Sequence, residues 1–144
     1  MADRASSSTT IAAPPADVMA VIADFERYPE WTSQVKTVEV LERDDSGRGT
    51  LVRFVVDAGV VKDEYTLAYD WSSPEVLSWH LTKGQMQKAQ VGSYTLVGDG
   101  SETEVRYDLS VDLAIPMIGL FKRKAEKTII DTALKGLKAR VEST

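Results

Sequence analysis

Tyr65, Tyr69, Tyr94 and Tyr107 stand at alternating positions of segments that read as strands, so their phenols share the side that carries the apolar residues. A phenol on a dry face needs a hydrogen-bond partner, and several together form a polar lining able to orient a phenol, quinone or keto group. Beside a cation that lowered its pKa, such a tyrosine would serve as a general acid. With its hydroxyl reaching water at a rim, it is an amphipathic core residue and nothing more. Trp79, in Leu77-Ser78-Trp79-His80-Leu81, shares the dry side with Leu77 and Leu81, which turns the single histidine, His80, toward solvent. A general base there would need to face inward and to have an orienting carboxylate, so Ser78 and His80 are not read as part of a triad. Arg53 lies in Val52-Arg53-Phe54-Val55-Val56, where neither side is wholly apolar. Facing inward it would stabilise an enolate oxygen; facing outward, the preferred reading, it is ordinary strand-surface charge. Asp112, between Val111 and Leu113, faces out by the same alternation.

Other chemistry is excluded by composition. With no cysteine and one histidine the chain offers no disulfide, thiolate nucleophile, iron–sulfur ligand set or multi-histidine metal site, and neither metal nor cofactor is expected. Asp44-Asp45-Ser46-Gly47 and Asp99-Gly100-Ser101-Glu102 lack the alternating oxygen ligands and closing bidentate Glu of a calcium loop, and read as hairpin turns. Gly98-Asp99-Gly100 is followed by a strand rather than a helix, so it cradles no phosphate.

The elements that must position these side chains follow from periodicity and punctuation. Thr9–Ala12 reads as a short strand ended by Pro14 and Pro15, and Pro15 suits the first position of a helix. Val18, Val21, Ile22 and Phe25 recur at the spacing of one buried helical stripe, and the helix is expected to stop before Pro29, with Tyr28 pushed out of it. From Val35 to Pro116 the period becomes two, with turn chemistry at 44–47, Ala58-Gly59, 72–74, Lys83-Gly84 and 98–100, which leaves room for six strands. Short connections make them an antiparallel meander with one dry face. After Pro116 an apolar stripe of Phe121, Ala125, Ile129, Ala133, Gly136 and Leu137 supplies a long helix to cover that face.

The chain is one domain's worth, residues 1–144, and 43% apolar with 27% charged residues is a globular composition. No apolar run approaches the roughly 20 residues a membrane span needs. The first residues lack the apolar stretch of about 7 to 15 residues found in a secretory signal, from which a cytoplasmic location is expected. A net charge of −5 argues against nucleic acid as a partner, because phosphate binding needs a basic face. Between Lys122 and Arg140, however, seven basic residues face two acidic ones. Lys122, Arg123, Lys124 and Lys127 open the last helix beside Ile115, Pro116, Met117, Ile118 and Leu120, where cations oppose the helix dipole. That cluster reads either as a solvated face or as a peripheral contact with anionic lipid. The oligomeric state is left open.

The order strand, helix, six-stranded meander, long terminal helix is that of an α+β helix-grip fold, a curved antiparallel sheet closed around its C-terminal helix. The chain resembles the START-related superfamily that includes polyketide cyclases and dehydrases, the birch-pollen-allergen fold and coenzyme Q-binding proteins. The resemblance rests on Ala13-Pro14-Pro15-Ala16-Asp17-Val18, Tyr28-Pro29-Glu30-Trp31, Gly92-Ser93-Tyr94-Thr95-Leu96, Thr103-Glu104-Val105-Arg106-Tyr107-Asp108-Leu109 and Ala133-Leu134-Lys135-Gly136-Leu137-Lys138. It implies an internal cavity for an apolar or aromatic molecule. It also implies that Trp31, after the Pro29 turn, stands at the cavity end where relatives place short helices, or packs against the first helix. The expected ligand contacts are Trp31, Phe54, Tyr65, Tyr69, Trp79, Tyr94, Tyr107 and Phe121, with no catalytic residue assigned. Three functions stay open: a carrier of a hydrophobic small molecule (lipid, polyketide or quinone-like), a cyclase or dehydrase acting on a poly-keto or aromatic substrate, and an interaction module whose cavity is incidental. The first asks only for a dry space of the right size, the second for inward-facing ionisable groups, the third for neither.

Overall fold

The computed structural model describes residues 5–57, 62–71, 73–113 and 119–143, with the side chains of 119–122 outside the description. The expected turns at Ala58-Gly59 and at Ser72, the apolar residues 115–118 and the side chains of Leu120, Phe121 and Lys122 lie outside the described residues. The elements run β1 (Ala5–Ile11), α1 (Pro15–Ala23), a 3-10 helix (Phe25–Glu30), β2 (Val35–Arg43), β3 (Gly49–Asp57), β4 (Lys62–Asp70), β5 (Val76–Gly84), β6 (Gln87–Gly98), β7 (Thr103–Leu113) and α2 (Gly119–Glu142). All strands join one antiparallel sheet in the order β1-β7-β6-β5-β4-β3-β2. The six strands expected between Val35 and Pro116 are β2 to β7, and α2 covers their dry face, as a helix-grip fold requires.

Two boundaries differ from expectation. The first strand starts at Ala5 rather than Thr9, because its serines pair through the backbone with β7, from Ala5 opposite Leu109 to Ile11 opposite Thr103. Edge strands are held by such ladders whatever their side chains, so a polar run gives no burial signal. The first α-helix stops at Ala23, and Phe25, Tyr28 and Pro29 form a separate 3-10 helix rather than the end of α1 and its breaker. Pro29 is tolerated there because the segment's bonds run from Arg27 N–H to Asp24 C=O and from Trp31 N–H to Tyr28 C=O, so its missing donor is not called on. The Tyr28 hydroxyl donates to the Ile22 carbonyl and ties this turn back onto α1.

The core lies between sheet and α2. Val52, Phe54, Val56, Leu67, Leu77, Leu96, Val105 and Leu109 are buried on the inner face, opposite Ala125, Ile130, Ala133, Leu134, Leu137 and Val141 of the helix. The helix stripe is thus wider than the sequence suggested. It includes Ile130, Leu134, Val141 and the fully buried Glu126, whose Oε2 accepts the Val111 N–H at 2.7 Å and pins the helix to β7.

Candidate functional site

Sheet and helix do not close on each other completely. A chamber of about 70 Å³ remains between them, lined by inner-face residues of β3 to β7, by Ile129 and Ala133 of α2, and by Tyr28, Trp31, Thr32, Gln34 and Val35 where the 3-10 helix runs into β2. Trp31, Phe54, Tyr65, Tyr69, Trp79, Tyr94 and Tyr107 all line it. Phe121 lies outside the described residues. A cavity of about 150 Å³ with apolar walls admits benzene, so even one ring requires this wall to give. A larger hollow of about 310 Å³ on the outer face is bordered by Leu41, Arg53, Glu64 and Lys83, among others, but it lies over solvated, charged side chains, not an enclosed apolar space.

The chamber is an aromatic box with packed walls. Ring centroids of Tyr94 and Tyr107 are 4.6 Å apart, Trp79 lies 5.4 Å from Tyr94 and 5.6 Å from Tyr69, and Phe54 lies 5.6 Å from Tyr65. The indole of Trp79 has its place because Gly92 stands opposite it. A Cβ at that position would sit 2.4 Å from the ring, so no other residue fits without moving the tryptophan. At the far end the Trp31 ring packs 4.8 Å from Tyr28. Its buried Nε1–H meets no acceptor among the described residues. An unmet buried donor costs about 1–3 kcal/mol, so Trp31 is the part of the wall with a gain to make by shifting toward water or a ligand oxygen.

Burial pushes all five phenols of the chain above their ordinary value. It is the largest cause for Tyr28, Tyr65, Tyr69, Tyr94 and Tyr107, reinforced in the first four by neighbouring phenols; a hydrogen bond with Gln90 opposes it at Tyr65. The condition under which these tyrosines would act as general acids, a cation lowering the pKa, is therefore not met. Among the described residues the lining holds no Asp, Glu, Lys, Arg or His. Tyr28 is committed to Ile22, whereas the hydroxyls of Tyr69, Tyr94 and Tyr107 have no protein hydrogen bond among the described residues. They are neutral donors and acceptors in an apolar space.

Residues with other expected directions fall as follows. Arg53 is on the outer face, with Nη2 2.8 Å from Glu64 and Nη1 3.5 Å from Glu39. His80 is exposed. Arg123, Lys124 and Lys127 are exposed on α2, with Lys127 Nζ 3.4 Å from Asp131. No helix among the described residues is long and apolar enough to cross a membrane.

Sequence reasoning missed a buried polar cluster at the β5–β6 end of the chamber. Asp63 accepts the backbone N–H groups of Glu64, Gln85, Met86 and Gln87 at 2.8–3.1 Å and fixes the start of β6. Gln87 and Gln90 are both buried and both line the chamber, although residues three apart on a regular strand point to opposite faces. A register shift between Gln87 and Ala89 resets the alternation and brings both inward. In the sequence only the turn at Lys83-Gly84 stands near it.

The sequence pattern of the family described as polyketide cyclase / dehydrase and lipid transport matches residues 11–138. No curated protein matches the chain. Among solved structures, a START superfamily protein from Mycobacterium smegmatis is similar at 23% identity, with a TM-score of 0.91 and 97% of each chain covered. A protein from Thermus thermophilus has 24% identity and a TM-score of 0.83 over 98% of each chain. The Zhui aromatase/cyclase from Streptomyces sp. R1128 has 17% identity and a TM-score of 0.81, over 99% of this chain and 94% of that one. At these identities the structures speak for the fold.

Proposed function

The chain belongs to the polyketide cyclase / dehydrase and lipid transport family, and from that membership we propose that it binds an uncharged, ring-bearing hydrophobic molecule between the sheet and α2 and carries it without changing it. The observation that carries this reading is the character of the lining: aromatic walls, phenol hydroxyls without protein partners and no ionisable acid or base among the described residues. Burial of apolar ligand surface would drive affinity at about 25 cal/mol per Å², and the hydroxyls of Tyr69, Tyr94 and Tyr107 would fix orientation through ligand oxygens. A charged ligand would be desolvated with no counter-ion, which disfavours it.

The cyclase reading draws on the family description and on the aromatase/cyclase named above. Enolisation of a poly-keto chain calls for a base, and phenols held protonated by burial are poor ones. The carrier reading therefore fits the lining better. Native mass spectrometry of the protein purified from its own host is expected to reveal a co-purified neutral small molecule. A spectrum of the bare chain alone, under conditions that preserve non-covalent complexes, would overturn the proposal.

A further inference from the structure

Resting on the reading of the chamber as a ligand site, we propose that Gln87 selects the ligand, its side-chain Nε2 donating a hydrogen bond to a carbonyl oxygen of the bound molecule. The orientation of the amide follows from a one-way chain of donors. An indole N–H can only donate, so the Gln90 atom that Trp79 Nε1 meets at 2.9 Å is the carbonyl Oε1. Gln90 Nε2 is then the atom that turns to Gln87, at 2.6 Å, and as a donor it must meet Gln87 Oε1. That leaves Gln87 Nε2 as the free end of the relay. Gln87 is 5% exposed and lines the chamber, and its side chain's hydrogen bond among the described residues uses Oε1, leaving Nε2 undonated on the chamber side.

The relay is built to stay in place. Gln87 N–H is bound by Asp63 Oδ2 at 3.0 Å, and the register shift between Gln87 and Ala89 faces its side chain inward. An amide donor that a bound molecule shuts off from solvent without offering an acceptor is costly, and that cost is avoided by a ligand oxygen but not by a methylene. The site therefore discriminates by what it leaves unpaired when the wrong molecule binds. The unpaired phenol hydroxyls can donate or accept, so they tolerate ketone and phenol alike. The amide nitrogen can only donate, and the Gln90–Gln87 relay fixes its place, so it is the donor assigned to a single ligand carbonyl, while the hydroxyls serve any further oxygens.

Acetophenone and ethylbenzene differ at one position, a carbonyl against a methylene, and are close in size, so they ask the same widening of the walls. Titration of the wild-type protein by NMR is expected to show both binding, with the ketone favoured by about tenfold, the effect of one hydrogen bond. In Gln87→Met that preference is expected to vanish while ethylbenzene still binds. Because this variant also removes the acceptor of Gln90, a second measurement uses the wild type alone: the Gln87 side-chain amide protons should shift on saturation with acetophenone and stay unmoved with ethylbenzene. A ketone preference that survives in Gln87→Met, no preference in the wild type, or amide protons that respond equally to both would overturn the role of Gln87 and leave the chamber reading standing. Binding of neither compound to the wild type would overturn the chamber reading and the role of Gln87 with it.

Discussion

Tyr28, Tyr65, Tyr69, Tyr94 and Tyr107 are all the tyrosines the chain has, and every one lines the same chamber with its pKa raised by burial. In the unfolded chain they ionise near pH 10. Between that pH and the higher folded values the unfolded state binds fewer protons, so stability is intact below pH ~10 and falls as pH rises beyond it. Phenolate absorbance followed through an alkaline titration is therefore expected to stay flat past pH ~10 and then rise together with loss of circular dichroism. A gradual rise centred near pH ~10 with the fold intact would contradict the burial of these phenols. Four of the five were legible from alternation alone, since Tyr65, Tyr69, Tyr94 and Tyr107 each sit in register with apolar neighbours. Tyr28 was not, because a residue before proline reads as a chain break, and nothing local reveals that its turn folds under α2.

One face of α2 fastens the Trp31 end of the chamber. Thr132, Gly136 and Arg140, spaced four apart, meet Gln34, the Trp31 backbone and Glu30 in turn: Gln34 Nε2 lies 3.3 Å from Thr132 Oγ1, and Arg140 Nη2 lies 3.0 Å from Glu30. Between these ties the Trp31 carbonyl comes so close that a Cβ on residue 136 would lie 1.9 Å from its oxygen. The obstacle is backbone, which cannot swing aside. Gly136→Ala is accordingly expected to destabilise the protein by about 1–3 kcal/mol in urea denaturation, despite the better helix propensity of alanine. A neutral or stabilising effect would mean that helix and 3-10 turn are not in contact as described. The sequence placed Gly136 on the buried stripe and could not say why it is glycine, because the partner is a carbonyl more than a hundred residues away. The inward turn of Gln87 was hidden for a related reason: a strand bulge is decided by pairing between two strands, and alternation within one strand points Lys88 inward instead.

At the level of the whole molecule, the cover of a six-stranded meander by one long helix was readable from the change of period at Val35 and again after Pro116, and the observed order agrees with it, with β1 joining beside β7 as the seventh strand. The volume left inside was not readable. It is the small difference between two large packed surfaces, set by side-chain shapes at many positions at once. At about 70 Å³ the chamber is a narrow space that must widen to receive a ring, and the half-buried Trp31 at its end is the element expected to yield. The central claim, that ligand enters between sheet and α2, is tested most directly by mapping a bound molecule onto the structure. In a solution NMR titration with 1-tetralone, a neutral fused-ring ketone, the account predicts saturable shifts and intermolecular contacts at Trp31, Phe54, Tyr94, Tyr107, Ile129 and Ala133. Shifts confined to the outer face around Leu41, Arg53 and Thr82, or no saturable shift, would contradict it.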